Sequence, residues 1–161
     1  MKCELYFNLD GLNEEKIVRM NAHDIKSYPK LAYYVKNDMP KIIDVPSIVL
    51  AMRKIGQINK SKLRSALSWG SGPTIKIVGL IDAYGEFTPG KQSNEIRIDT
   101  KLVKEFESGK GKRAARVGNV FLVGVTLLHE LVHWGDDQDG IDRPGEEGAE
   151  FENMVYGSVV Y

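Results

Sequence analysis

No proline interrupts the chain between Val117 and Trp134, and inside that run lies the pentapeptide HELVH, residues 129–133. Leu127, Leu128, Leu131, Val132 and Trp134 surround it with large uncharged side chains, so the segment reads as a helix buried on most sides. On a helix, two histidines four residues apart stand one turn above each other, and His129 and His133 can each aim a ring nitrogen at one metal ion. Glu130 follows the first histidine directly. It points to the side of such an ion, where a carboxylate can take a proton from an activated water instead of ligating. The pentapeptide alone is short enough to arise by chance, and the flanks decide. Two histidines and a glutamate set into an apolar helix would be costly without a metal to satisfy them.

The bulk properties exclude several alternatives. At 161 residues the chain can bury about two-thirds of its unfolded surface as a single domain, residues 1–161. Lys plus Arg equal Asp plus Glu at 22 each, which leaves no electrostatic reason to bind nucleic acid or an anionic membrane. Cys3 is the only cysteine, so neither an intramolecular disulfide nor a zinc finger is available. The N-terminal stretch MKCELYFNLDG has charge at its centre and no apolar core of signal-peptide length, and no segment is apolar enough to span a membrane. Those features predict a chain that is cytoplasmic unless a specialised apparatus carries it.

Along the chain, a helix is predicted over residues 13–20 with Asn13 as its cap. A less regular segment follows over residues 24–35, with Pro29 in a first helical turn, and His23 beside it reads as a surface residue. Pro46 and Ser47 begin a helix that Gly56 ends, and Asn59 caps another over residues 60–69. Gly70-Ser71-Gly72-Pro73 is the clearest break. It separates a helical N-terminal part, residues 1–70, from the part carrying the motif, residues 74–161. Beyond it, TIKIVGLI (residues 74–81) and NEIRID (94–99) alternate as strands, with residues 82–92 a loop between them. A helix over residues 100–106 leads to the long helix, predicted from about Ala115 to His133. The Asp- and Gly-rich stretch GDDQDGIDRPGEEG is a loop, and Glu146 and Glu147 open a last helix. The expected class is α+β: a small sheet packed on the HELVH helix, helices before it, and a C-terminal helix rich in glutamate.

A catalytic zinc ion takes three protein ligands and keeps one position open, so His129 and His133 need a partner. A turn after the motif would deliver Asp139, but that route relies on a glycine where Asp136 stands; here the glycine is Gly135. The alternative is a glutamate from the last helix. At 100° per residue, and with Phe151, Met154, Val155 and Ser158 as the inner face, Glu147 falls inside that face, Glu150 at its edge and Glu146 further out. Gly148 would let the two helices approach closely. Glu147 is therefore the expected third ligand, and Glu150 either the alternative ligand or the partner that orients a histidine. Asp136 and Asp137 orient the second histidine or face water.

With these residues placed, the chain resembles the gluzincin type of zinc metallopeptidase, in which HExxH is followed by a ligand glutamate on a later helix. From NEIRID through TLLHELVHWGDDQDG to GEEGAEFE, roughly residues 74–157, it is similar to the metallopeptidase toxin domains of bacterial polymorphic toxins, including Rhs-type effectors and those delivered by type VI secretion. The resemblance implies a zincin-like fold, a Zn2+ cofactor and hydrolysis of a peptide or protein substrate with Glu130 as general base. It also implies an edge strand across the cleft, for which residues 94–99 stand at the right place in the order, and a tyrosine or histidine to steady the oxyanion, for which Tyr84 and Tyr156 are candidates. Delivery into a target cell and a cognate immunity protein belong to the same implication. Two other functions share these residues: an amidase acting on cell-wall peptides, and a non-catalytic interaction module built around zinc, in which Glu130 would have no task.

Overall fold

In the computed structural model, which describes residues 19–90, 94–111, 121–141 and 143–160, local side-chain chemistry sets most of the helix starts. Asn21 accepts from the Asp24 N–H at 2.8 Å and caps α1, Ala22–Ser27. Pro29 opens α2, Pro29–Tyr33, where its missing N–H costs nothing, and the chain continues through a π-helical turn and a 3-10 turn to Asp44. Pro46 opens α3, Pro46–Lys54, and Asn59 caps α4, Lys60–Leu67, by accepting from the Lys62 N–H at 2.8 Å. After the sheet, Asp99 takes the N–H groups of Lys101 and Leu102 at the head of α5, Thr100–Glu107. Two further helices follow, α6 at Leu122–Asp136 and α7 at Glu147–Tyr156. The helix predicted over residues 13–20 lies, apart from Arg19 and Met20, outside the described residues, as do Cys3 and the predicted start of the long helix near Ala115.

Among the described residues three strands form one sheet in the order β1-β3-β2, with β1 at Thr74–Val78, β2 at Gly85–Phe87 and β3 at Glu95–Asp99. β1 runs parallel to β3 and β2 antiparallel to it. Two expectations are corrected here. The segment 82–92, read as a loop, contains β2, whose three residues are too few to show alternation. Residues 94–99, read as the edge strand across the cleft, hold β3, which is paired on both sides; the edge next to α6 is β2. Order along the chain does not give order in a sheet, because β3 returns into the slot between its two predecessors. The first strand also stops at Val78 rather than Ile81, and the Leu80 N–H turns to the Asp99 carboxylate at 3.0 Å.

The pleat sorts the sheet into two faces. Ile75, Ile96 and Ile98 are fully buried on one. On the other, Lys76 pairs with Glu95 at 2.7 Å and Arg97 with Glu86 at 3.2 Å. The inner face meets α5 and α6, and a continuous apolar cluster runs from Met20, Leu31 and Met52 through Leu63 and Leu67 to Leu128, Val132 and Phe151. It therefore joins residues from both sides of the break at 70–73. α6 lies at the centre of this arrangement, and every residue from Leu122 to Asp136 except His133 is buried. Gly135 is one reason: a Cβ there would overlap the Gly56 carbonyl and Ile58. Among the described residues no helix is long and apolar enough to cross a membrane.

Candidate metal centre

α6 brings the two histidines together as their spacing requires, with ring centroids 5.1 Å apart. The chain then has to return to them, and Asp136 governs how. This buried carboxylate accepts from Gln57 Nε2 at 2.8 Å, from Arg143 Nε at 2.9 Å and from the Arg143 N–H at 3.4 Å. Arg143 in turn donates to the Ile55 carbonyl at the end of α3, at 2.8 Å. The return loop is thus pinned to the N-terminal helices immediately before it delivers Glu146.

Glu146 is the residue that reaches both rings. Its Oε1 lies 3.2 Å from His129 Nε2 and 2.8 Å from His133 Nε2. The opposite ring nitrogens have carboxylates of their own. His129 Nδ1 lies 2.7 Å from Glu152 Oε1, and His133 Nδ1 lies 3.2 Å from Glu147 Oε2. Glu147 and Glu152 are 3% and 0% exposed, so both are held inside for these contacts. Gly148 makes the approach possible, since a Cβ there would overlap the His129 imidazole.

The residues singled out from the sequence therefore separate into groups. Glu147 is buried, as the helical wheel requires, but it sits behind His133 rather than beside the converging Nε2 atoms. Glu150 is exposed near Gly145, and Asp139 is exposed and accepts from the Ile141 N–H at 2.8 Å. Asp136 clamps the return loop, while Asp137 stands in a short 3-10 turn. Tyr84 leads into β2 and its carbonyl accepts from the Asp99 N–H at 2.8 Å. The Tyr156 hydroxyl is buried beside Tyr34 and Glu152, and burial, then these neighbours, raise its pKa. His23 is exposed, 3.5 Å from Ser27 Oγ. Glu152 was not singled out. It lies one turn beyond Gly148 on the face that meets α6, and that i,i+4 relation to the one residue small enough to touch His129 was the available signal.

Glu130 is buried against the edge strand. A Cβ on Gly85 would come within 2.7 Å of its Oε1. Burial pushes its pKa up to about 7, the charges of Glu146, Glu86 and Glu152 adding to the effect and His129 opposing it. For His129, burial disfavours the charged ring, but the hydrogen bond it donates to Glu152 and the charges of Glu130, Glu152 and Glu146 outweigh it and raise the pKa.

A divalent cation fits the converging donors. His129, His133 and Glu146 offer ligand atoms that all lie within 4.8 Å of one another. Donors around a tetrahedral ion at bond lengths near 2 Å stand about 3.3 Å apart, close to the 3.2 Å and 2.8 Å found here. Each histidine also has a carboxylate behind it, the arrangement that fixes ring orientation in metal sites.

A family profile described as metallopeptidase toxin 3 matches residues 24–157. It takes in the N-terminal helices as well as the segment that carries the histidines. No curated protein and no solved structure gives a significant match to the chain.

Proposed function

The chain belongs to the metallopeptidase toxin 3 family, and from that premise we propose that it is a zinc-dependent, zincin-like peptidase in which Glu130 is the general base and His129, His133 and Glu146 hold the metal. The observation that carries the reading is the convergence of both Nε2 atoms on one Glu146 oxygen while Glu152 and Glu147 occupy the Nδ1 sides. Zinc in such a set supplies polarisation of the scissile carbonyl and a lowered pKa for the attacking water. Glu130 takes the proton from that water and returns it to the amine that leaves.

β2 is the strand on which substrate pairs in this reading. The Tyr84 carbonyl faces β3 through its bond with Asp99, and alternation along an antiparallel ladder turns the N–H and C=O groups of Gly85 and Phe87 to the outer edge. A peptide added there runs directly past Glu130. We take residues 1–161 as one domain, delivered to its target cell by a specialised apparatus, with a protein as substrate and a cognate immunity protein as its natural inhibitor.

Glu130→Gln tests this. The amide has nearly the size of the carboxylate but cannot act as a base, so zinc content should stay at one equivalent while hydrolysis of an unfolded protein substrate falls by about 10²–10⁴-fold. Expressed in bacterial cytoplasm and periplasm in turn, the wild type should stop growth in one compartment and the variant in neither. Equal toxicity of the two forms would refute catalysis as the cause.

A further inference from the structure

The fully buried carboxylate of Glu152 has two partners, one on each oxygen. Oε1 meets His129 Nδ1 at 2.7 Å, and Oε2 accepts from the backbone N–H of Val160 at 2.6 Å. The second contact exists because α7 stops at Gly157, where φ is +77° and the chain turns back along its own last turns. That conformation is open to glycine at little cost. Val160 then packs its side chain against the apolar core.

Both oxygens matter to what Glu152 can do. A carboxylate accepts and never donates, so a neutral His129 facing it must carry its proton on Nδ1, which leaves the Nε2 lone pair directed toward Glu146. A buried carboxylate held by one donor alone could turn about its terminal bond, which is soft. With Val160 holding Oε2, rotation would break a short charge-assisted bond, and Oε1 is kept on the ring. We propose that Glu152 is a positioning residue for His129 and that it acts as a relay, so that the segment after α7 sets how tightly the chain holds its metal.

The proposal rests on the zinc-binding reading above, and zinc competition against a chromophoric chelator on the full chain distinguishes the two. A wild type that takes up no zinc overturns that reading before any variant is made. Given binding, Glu152→Ala should weaken it by about 10–100-fold, and Glu152→Gln, which keeps one acceptor oxygen, should fall between. Val160→Pro removes the N–H and should cost about 3–10-fold, less than the loss of the carboxylate itself, whereas Val160→Ala keeps the N–H and should match wild type. Because Val160 acts through Glu152, Val160→Pro should add nothing on the Glu152→Ala background. The visible spectrum of the cobalt(II) form should shift in Glu152→Ala and Val160→Pro alike. In the metal-free protein the His129 Nδ1–H resonance should be downfield and should vanish in Glu152→Ala. Undiminished affinity in Glu152→Ala, a Val160→Pro indistinguishable from Val160→Ala, or full additivity in the double variant would each overturn the relay. If Glu152→Ala does not fold, removal of the residues from Ser158 onward supplies the same comparison, and wild-type affinity there would be equally fatal.

Discussion

Adding one methyl group at Gly85 should damage the protein in a way that separates chemistry from metal binding. A Cβ at that position would stand 2.6 Å from Thr126 Cγ2, 2.7 Å from Glu130 Oε1 and 2.8 Å from Glu130 Cγ. Ordinary contacts between such atoms lie at about 3.5–4.0 Å, so roughly 1 Å must be found. α6 cannot supply it, since every residue in it but His133 is buried. The relief must come from Glu130 leaving its rotamer, at about 0.5–1.5 kcal/mol, or from the edge strand moving outward. Overpacking of this kind costs about 1–3 kcal/mol, which for a chain of this size lowers Tm by about 2–12 °C. A base or a substrate strand displaced by 1 Å costs about 10²-fold in rate. Zinc affinity should stay within a few-fold, because His129, His133 and Glu146 are untouched. Thr126→Ser removes one of the three colliding atoms and keeps the hydroxyl that bonds the Leu122 carbonyl, so Gly85→Ala with Thr126→Ser should recover part of the lost stability. Thermal unfolding, chelator competition and hydrolysis of an unfolded protein substrate measure the three quantities. A Gly85→Ala protein with wild-type Tm and wild-type turnover would refute the seating of β2 on Glu130.

Glu146→Ala should weaken zinc binding by more than 100-fold and Glu147→Ala by about 10–100-fold, as for a ligand and for the group behind one; the reverse order in a competition titration would sink the assignment of Glu146. The metal-free protein should lose stability as pH rises from about 4.5 to about 7, since folded Glu130 keeps its proton through that window while the unfolded chain has released it. The displacement corresponds to at most about 3 kcal/mol. His129 acts with the same sign: its raised pKa adds stability below the ordinary imidazole range, and that contribution disappears as pH climbs through the folded value. Urea unfolding between pH 5 and 8 should show the decline, reduced in Glu130→Gln, and the zinc-loaded form should show the opposite slope because binding releases protons. An unchanged slope in Glu130→Gln would assign the effect elsewhere.

What could be read from the sequence was what depends on neighbours in the chain. Asn59 as a cap, Pro46 as a helix start and the shared face of His129 and His133 all follow from relations within one or two turns. β2 was hidden because Gly85, Glu86 and Phe87 are too few to show a period, and because its place at the edge depends on where β3 inserts. The place of Glu146 beside the two histidines was hidden for a sharper reason. The wheel treated Glu146 as helical and turned it outward, but its backbone lies at φ −114°, ψ 85° and α7 begins one residue later. The 100° step does not apply to it, and its side chain is free to reach the histidines. For Glu152 the spacing from Gly148 was the one local signal, and its partners, the His129 ring and the Val160 N–H, are seen only in the packed structure.

The clamp of Asp136, Gln57 and Arg143 on the Ile55 carbonyl changes what counts as the minimal unit. The glycine-rich stretch at residues 70–73 looks like a seam, and a fragment cut there would keep both histidines, Glu130, Glu146, Glu147 and Glu152. It would lose the fixed point from which Glu146 is aimed. The N-terminal helices hold the loop that carries Glu146, so this half of the chain is no neutral preface to the histidines. Substitutions around Ile55 and Gln57 would be felt at Glu146.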